Sequence, residues 1–314
     1  MIHEYAIDPE LVIAWGKDRA DYRYFCEQFG LGTPRMMGEF PNFNNWRKQF
    51  KRAAIGADET NELPRITAIF NLIQDQRIRR DGIDYDGTLT WLENAENENK
   101  RYGFQAILSM DNPRDHAQVL SSTVLGDLMH KHPLWHVKSQ SSCNRQAKQM
   151  ADLLSPLFTN CSELHFVDPH FGPQNIRHRR PLAKFMEKVA HFRPRRLPME
   201  RIVIHVAVES FKGPDFRKEC EKKLPDLIPI GLKLELKRWK QRNGGEKLHN
   251  RYILTDIGGV KIDPGLDDGK DGESFEVILL ERKPYEKQLD NYVRSPAFDL
   301  AEQVTVIGAA RMNR

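Results

Sequence analysis

The stretch Ile202-Val203-Ile204-His205-Val206-Ala207-Val208 decides the fold of the second half of this 314-residue chain. Five of its seven residues are β-branched, and the apolar residues do not alternate regularly with polar ones. Such a run is typical of a strand that is covered on both faces, as in the sheets of α/β proteins. We therefore predict a buried strand here, within a sheet that helices flank.

Strand-like and helix-like patterns alternate on both sides of this stretch. Apolar runs that predict strands cover 164–167, 232–239, 252–255 and 275–280. Helical spacing covers 146–157, 181–190 and 216–224. Alternating strands and helices are typical of an α/β domain. The sequence predicts an α/β domain with a mixed sheet over residues 146–314.

Residues 1–145 show mainly helical spacing. Apolar side chains recur three and four positions apart in 18–29, 44–55, 63–78 and 89–101, and one short apolar run at 104–109 could be a strand. The sequence therefore predicts a mostly helical N-terminal domain of unknown function. We also expect this domain to provide the surface that binds a protein partner.

Composition excludes several classes of protein. A hydrophobic fraction of 39% is enough for a packed core, and no run approaches the roughly 18 apolar residues of a membrane span. The four cysteines are scattered, and the N-terminus has no pattern of a secretory signal. We expect a cytoplasmic protein without a membrane span or a disulfide framework. The phosphate-binding motifs G-x-x-x-x-G-K-[ST] and G-x-G-x-x-G do not occur.

Charge is distributed unevenly along the chain. The 48 Lys and Arg against 44 Asp and Glu give a net charge of +4, yet residues 177–247 hold 20 basic and 9 acidic side chains. A basic stretch of this kind is either an ordinary solvated surface or a surface for a phosphate-rich partner such as DNA or RNA. Arginine binds phosphate oxygens in bidentate geometry. The candidate substrate-binding residues of this basic stretch are Arg177, Arg179, Arg180 and Lys247. A second arginine group in the stretch consists of Arg193, Arg195 and Arg196.

The spacing H-x-R-x4-D at His249, Arg251 and Asp256 is the pattern most suggestive of chemistry. On a strand, residues two apart point to the same face, so His249 and Arg251 would project together. An imidazole nucleophile, a fixed cation for the nonbridging oxygens and an orienting carboxylate suit attack on a phosphodiester. We predict that this trio forms the centre of the site.

These residues resemble the H-x-K-x4-D signature of the phospholipase D-like superfamily of phosphodiesterases and nucleases, with Arg251 at the lysine position. Over about residues 146–314, the order of elements and the context of His249 also resemble the phospholipase D-like C-terminal domain of microtubule-interacting-and-trafficking proteins. The resemblance implies that His249 forms a phosphohistidine, Arg251 stabilises the transition state and Asp256 orients His249. It also implies that no metal or other cofactor is needed.

Active sites of this superfamily normally join two such motifs, and this chain has one. The resemblance implies that a homodimer could supply the second, as in single-motif nucleases. Alternatively His170, just beyond Asp168-Pro169, could be the general acid, because sites of open α/β sheets lie beyond the carboxyl ends of strands. His170 can also be interpreted as a loop histidine that makes a local hydrogen bond. Asp168, in turn, can be interpreted as a residue that initiates a turn before Pro169.

Two functions are therefore expected from the sequence. One is a metal-independent nuclease, and superfamily relatives that act in restriction and anti-phage defence suggest such a role. The other is a catalytically inactive module that binds nucleic acid, anionic lipid or a protein. No metal site is expected at His130, His132 and His136, because Pro133 interrupts any helix there and no Cys or carboxylate pair completes the set.

Overall fold

A computed structural model gives the fold and describes residues 1–123, 125, 132–190, 198–211, 213 and 215–310. The described residues divide into two compact units, which we call the N-terminal unit (within residues 2–138) and the C-terminal unit (Met1 and, within the described ranges, residues 139–190 and 198–310). The sequence had suggested a division between residues 145 and 146. Residues 140–144 instead form a strand of the C-terminal sheet.

The N-terminal unit is α/β rather than mostly helical. Its sheet has the order β2-β1-β3-β4 with every neighbouring pair parallel. The strands are β1 (His3–Ile7), β2 (Arg35–Met37), β3 (Ala106–Ser109) and β4 (Val119–Ser121); the helices are α1 (Pro9–Lys17), α2 (Arg19–Gln28), α3 (Phe43–Ala53), α4 (Glu62–Gln76) and α5 (Trp91–Arg101). The helical prediction was wrong in fold class because β2 and β4 have only three residues each, too few to show a strand period.

Both faces of this sheet are covered. Tyr5 and Ile7 of β1 pack into one apolar cluster with residues of α1, α2, α3 and α4. Ala6, which points to the opposite face, packs into a second cluster with Trp91 and Leu92 of α5. Successive strand residues point to opposite faces. The N-terminal unit is therefore a small doubly wound sheet.

A buried ion cluster joins the sheet of the N-terminal unit to α5. The Arg80 guanidinium lies 2.7 Å from the Glu4 carboxylate of β1 and 3.0 Å from the Glu98 carboxylate of α5. The Arg80 side chain is fully buried, and its Nη2 also donates to the Tyr102 carbonyl. Buried charges are tolerated only when they are paired and hydrogen-bonded in this way.

The C-terminal unit confirms the predicted α/β architecture with a mixed sheet flanked by helices. Its strand order is β12-β8-β7-β6-β9-β10-β11-β5, in which β6, β7 and β8 are parallel and the other pairs antiparallel. The strands are β5 (Gln140–Asn144), β6 (Glu163–Val167), β7 (Arg201–Ala207), β8 (Lys233–Lys240), β9 (Tyr252–Thr255), β10 (Gly258–Asp263), β11 (Ser274–Leu279) and β12 (Asp299–Ile307). The helices are α6 (Ala147–Asn160), α7 (Ile176–Ala190), α8 (Phe216–Lys223) and α9 (Arg282–Leu289), with short helical turns at Val208–Ser210, Pro225–Leu227 and Asp290–Arg294.

Three aromatic rings form a hydrogen-bond chain inside this sheet. The Trp239 indole N–H donates to His205 Nδ1 at 2.9 Å, and His205 Nε2 lies 3.1 Å from His165 Nδ1. An indole N–H can only donate, so His205 accepts at Nδ1, carries its proton at Nε2 and donates to His165. Burial lowers the pKa of His165 to about 3 and that of His205 well below its ordinary value. Both rings are therefore neutral at physiological pH.

Within the described part of the chain, no helix is both long and apolar enough to cross a membrane.

Candidate functional site

The carboxyl ends of β6, β7 and β8 define one edge of the C-terminal sheet. Asp168 follows β6, the turn Val208–Ser210 follows β7, and the segment 241–251 connects β8 to β9. Because β9 runs antiparallel to β6 and pairs Tyr252 with Val167, Arg251 lies beside Asp168. Asp168, His170, His249 and Arg251 therefore share this edge.

Asp168 is the buried carboxylate of this edge. Its Oδ1 accepts the backbone N–H of His170 and its Oδ2 that of Leu266, both at 3.0 Å. Arg251 Nε lies 3.9 Å from Asp168 Oδ1, and this buried nitrogen has no hydrogen-bond partner among the described residues. Asp168 therefore has the turn-forming role and in addition faces the cation of the motif.

His249 and His170 are both exposed at this edge. His249 lies in a turn, where its backbone N–H donates to the Lys247 carbonyl at 3.1 Å. The His170 ring has the local contact of a loop histidine, with Nδ1 3.4 Å from Ser210 Oγ. The prediction that His249 lies on a strand was wrong, because β9 begins only at Tyr252 and the preceding Gly244-Gly245 segment lies outside the sheet.

Asp256 lies at the other end of β9 and does not orient His249. Its Oδ1 accepts the backbone N–H groups of Ser162 at 2.9 Å and Glu163 at 3.1 Å, and its Oδ2 accepts the Ser162 hydroxyl at 2.7 Å. Four strand residues lie between it and Arg251, so the two Cα atoms are roughly 16 Å apart. The role predicted for Asp256 is therefore corrected: its carboxylate holds the start of β6.

The arginines Arg177, Arg179 and Arg180 lie on a helix, although their clustering in the sequence had suggested a loop. The helix begins at Ile176, so Arg177, Arg179 and Arg180 occupy its first two turns. Pro181 lacks the N–H that would bond the Arg177 carbonyl four residues earlier. The Asp268 N–H donates to that carbonyl instead, at 2.8 Å. The replacement hydrogen bond lets the helix extend past its proline toward the N-terminus.

These arginines differ in how available they are. Arg177 lies 3.1 Å from the Asp267 carboxylate, which Arg145 also contacts, and its Nε donates to the Asp268 carbonyl at 2.7 Å. The Arg179 side chain is half-buried. Arg180 is exposed and lines a pocket of about 410 Å³ together with Arg177. Only Arg180 of the three is largely free to meet a ligand.

His178 lies between these arginines and is buried. Its Nδ1 accepts the Gly172 N–H at 3.3 Å. Burial lowers the pKa of His178, while the carboxylates of Asp168 and Asp267 act in the opposite direction. The sequence did not single out His178, because its spacing matches no motif. A neutral imidazole fixed in this way stabilises the turn after β6 rather than moving protons.

Residues 240–251, which we call the basic loop, carry an excess of positive charge at the same edge. They include Lys240, Arg242, Lys247 and Arg251 but one acid, Glu246. Glu246 lies 3.5 Å from the Lys287 ammonium of α9, and Arg242 lies 2.7 Å from Asp299. Lys240 and Lys247 are exposed and have no ion-pair partner among the residues described here. Sequence reasoning found Lys247 and missed Lys240, which ends a strand.

Two predicted groups concern residues outside the described part of the chain. In the group of three histidines, His130 lies outside the described residues. In the second arginine group, all three members, Arg193, Arg195 and Arg196, do so. Over the described ranges, no cluster of three or more His, Cys, Asp or Glu side chains is placed to hold a metal ion.

No family model matches the chain, and neither a curated protein nor a solved structure matches it. The likeness to the phospholipase D-like superfamily therefore depends on the motif and on the order of the elements around it.

Proposed function

We propose that the C-terminal unit is a nucleic-acid-binding module of phospholipase D-like architecture that uses the basic loop. The observation that carries the proposal is the unbalanced charge of this loop at the carboxyl edge of the sheet. Lys240 and Lys247 stand exposed and form no ion pair among the described residues, since Asp299, the cross-strand neighbour of Lys240, contacts Arg242, and Glu246, the one acid of the loop, contacts Lys287. A surface of this kind attracts a polyanion by releasing its counterions.

The arrangement of charge supports binding more strongly than catalysis. A histidine nucleophile needs a group that holds its ring in one orientation. The nearest motif carboxylate, Asp256, binds Ser162 and Glu163 at the far end of β9, and Asp168 faces Arg251. A ring on an exposed loop can still contact a phosphate as one more hydrogen-bond donor. We therefore assign His249 to binding.

Charge and chemistry also favour nucleic acid over the other ligands that the sequence left open. The basic loop is polar, and its Leu248 is the one aliphatic side chain between Lys240 and Arg251. Binding to a lipid surface usually adds apolar side chains to the basic ones. A phosphodiester chain needs only cations and hydrogen-bond donors spaced along a groove or edge.

A salt titration tests the proposal. Fluorescence anisotropy with labelled duplex DNA, single-stranded DNA and RNA should show binding that weakens as salt rises. Each phosphate contact contributes about −0.9 to the slope of log K against log salt for duplex DNA. The double variant Lys240→Gln/Lys247→Gln should lower that slope by about 2 and the affinity at low salt by about tenfold.

The matched control is Lys48→Gln/Lys51→Gln on α3, which removes the same charge from exposed positions of the N-terminal unit. This control should bind as the parent does. Equal losses in the two double variants would mean that only net charge matters, and absence of binding to all three nucleic acids would refute the proposal.

A second candidate function is the metal-independent nuclease, favoured by one observation: His249, His170 and Arg251 lie at the same edge of the sheet. Plasmid, single-stranded DNA and RNA are incubated with the protein in EDTA. Cleavage that disappears in His249→Ala, while binding persists, would assign His249 as a nucleophile and overturn the binding-only role. Retained binding without product in the parent protein supports the module.

A further inference from the structure

The N-terminal unit has a crevice at the place where doubly wound sheets bind ligands. The strand order of this sheet is β2-β1-β3-β4. After β1 the chain forms β2 on one side of β1, and later it forms β3 on the opposite side of β1. Ligands of such sheets bind beyond the carboxyl ends of the two strands at this switch point. Asp8 directly follows β1 and Ser109 ends β3, so both lie at the switch point.

A pocket of about 730 Å³ occupies this position. Its walls include Asp8, Ser109, the Tyr85 and Trp91 rings, and Arg52 of α3. Pockets for small ligands and cofactors commonly have volumes of about 300–1,000 Å³. The size fits a small organic molecule, and the mixed walls of carboxylate, aromatic rings and arginine restrict its chemistry.

Asp8 is a fixed and largely buried acceptor in this pocket. Its Oδ1 accepts the Glu10 N–H at 2.9 Å, which caps α1, and its Oδ2 accepts the Ser109 hydroxyl at 3.0 Å. Burial raises the pKa of the Asp8 carboxyl. Each carboxylate oxygen can accept more than one hydrogen bond. A ligand hydroxyl that donates to Asp8 would offset the cost of this buried charge.

Backbone donors and a cation lie at the other wall of the pocket. Trp91 is 9% exposed, so a small part of its ring forms the wall, and its ring also packs against Phe40 in the core. The first backbone N–H groups of a helix have no acceptor within the helix. At the start of α5 the Thr90 side chain accepts the backbone N–H of Glu93, the third residue of the helix after Trp91 and Leu92. Helix N-termini favour phosphate groups. Exposed Arg52 adds a cation to this pocket.

We propose that this pocket binds a mononucleotide. Asp8 accepts a ribose hydroxyl, the rings of Tyr85 and Trp91 provide the apolar wall for the base, and Arg52 with the start of α5 binds the phosphate. The arrangement needs no glycine-rich motif, because the donors come from a helix start and an arginine side chain. The site is separate from the basic loop and does not depend on the function proposed for it.

Isothermal titration calorimetry on the full chain tests this proposal with AMP, GMP, CMP, UMP and their four nucleosides as probes. At least one nucleotide should bind with 1:1 stoichiometry. Arg52→Gln should weaken the nucleotide about tenfold and leave the corresponding nucleoside unchanged, whereas Asp8→Asn should weaken both about tenfold. Asp8→Asn keeps the oxygen that caps α1, so the helix start is preserved.

Arg47→Gln is the matched control, since Arg47 is exposed on the same helix and does not line the pocket. The Lys240→Gln/Lys247→Gln variant must bind the nucleotide as the parent does, which separates this pocket from the basic loop. If no probe binds, or if Arg52→Gln and Arg47→Gln behave alike, the proposal is wrong. The arginine pair keeps the test decisive even if Asp8→Asn fails to fold.

Discussion

The same tripeptide pattern ends a strand in each unit, with different results. Ile7-Asp8-Pro9 follows β1 of the N-terminal unit, and Val167-Asp168-Pro169 follows β6 of the C-terminal unit. In the first, Pro9 begins α1 at once, and Asp8 both caps that helix and lines a pocket. In the second, the helix begins only at Ile176, and the intervening turn buries Asp168 against Arg251 and Leu266.

The comparison shows that the role of such a carboxylate depends on the chain that follows it. A helix that starts immediately leaves the carboxylate at the mouth of a crevice, where it can meet a small ligand. A longer turn covers the carboxylate, and the ligand-binding groups are then on the neighbouring loop. We therefore expect buried polar contacts to determine the properties of the N-terminal unit, and exposed charge to determine ligand binding at the C-terminal edge.

The largest effect is expected from Arg80, the cation of the buried ion cluster in the N-terminal unit. Arg80→Met leaves the buried Glu4 and Glu98 carboxylates without their shared cation. Breaking a buried ion cluster in this way costs about 3–5 kcal/mol. Urea unfolding, followed by hydrogen exchange of peptides from β1, should show this loss in the N-terminal unit.

Arg101→Met is the control for Arg80, because its ion pair with Asp84 is exposed on both sides. An exposed pair contributes roughly 0–1 kcal/mol. Similar losses in the two variants would show that burial does not distinguish the two ion pairs.

Acid should affect the C-terminal unit next. His165 and His205 are neutral in the folded state, since burial lowers the pKa of both, but they bind protons when unfolded at about pH 6.5. Their contribution to stability is therefore complete above pH 6.5 and is lost as the pH falls. Two such histidines lower the free energy of unfolding by about 3 kcal/mol between neutral pH and pH 5.5.

The measurement is the slope of unfolding free energy against pH from 5.5 to 6.5. His165→Gln removes one of the two protons, so its slope should be smaller by about 1 kcal/mol per pH unit, whatever its absolute stability. His132→Gln, a substitution in the N-terminal unit, should leave the slope of the C-terminal unit unchanged. An unchanged slope in His165→Gln would contradict the neutral ring chain.

Asp256→Ala should have a smaller effect that is confined to stability. The substitution leaves the N–H groups of Ser162 and Glu163 without their acceptor, at an expected cost of about 1–2 kcal/mol. Nucleic-acid affinity should not change, because Asp256 lies at the opposite end of β9 from the basic loop. Thermal unfolding together with anisotropy checks both expectations, and a loss of binding in a folded protein would restore Asp256 to the site.

The smallest effect is expected from the one acid of the basic loop. Glu246→Gln removes its negative charge and should tighten nucleic-acid binding by a factor of about two to five at low salt. The gain should disappear at high salt, where exposed charges are screened. Glu59→Gln, at an exposed position of the N-terminal unit, is the control and should give no gain. A gain that persists at high salt would argue against an electrostatic origin.

Long periodic segments were predictable from the sequence, and short elements were not. The apolar run at β7 and the helical spacing of α2, α3 and α4 carry enough residues for their period to show. β2 and β4 are too short for this, and β12 begins with an exposed, mixed stretch. The doubly wound sheet of the N-terminal unit was missed for this reason.

At the candidate sites, closeness along the chain was a poor guide to closeness in space. Arg251 and Asp168 meet because β9 pairs with β6, a pairing that the sequence did not predict. Asp256 follows Arg251 closely in sequence, yet a strand carries it to the opposite edge. Asp8 and Ser109 are about 100 residues apart, and no local pattern connects them. Their shared position became visible only with the strand order.

The proline inside α7 has a consequence for the order of folding. The Arg177 carbonyl, which Pro181 cannot bond, accepts its hydrogen bond from Asp268, a residue that lies beyond β10 in the chain. The first turn of α7 can therefore be complete only after this later segment has docked. Earlier assembly of the helix would leave its start frayed. Protection of the Asp268 amide, which donates this hydrogen bond, therefore reports when the segment after β10 docks on the start of α7.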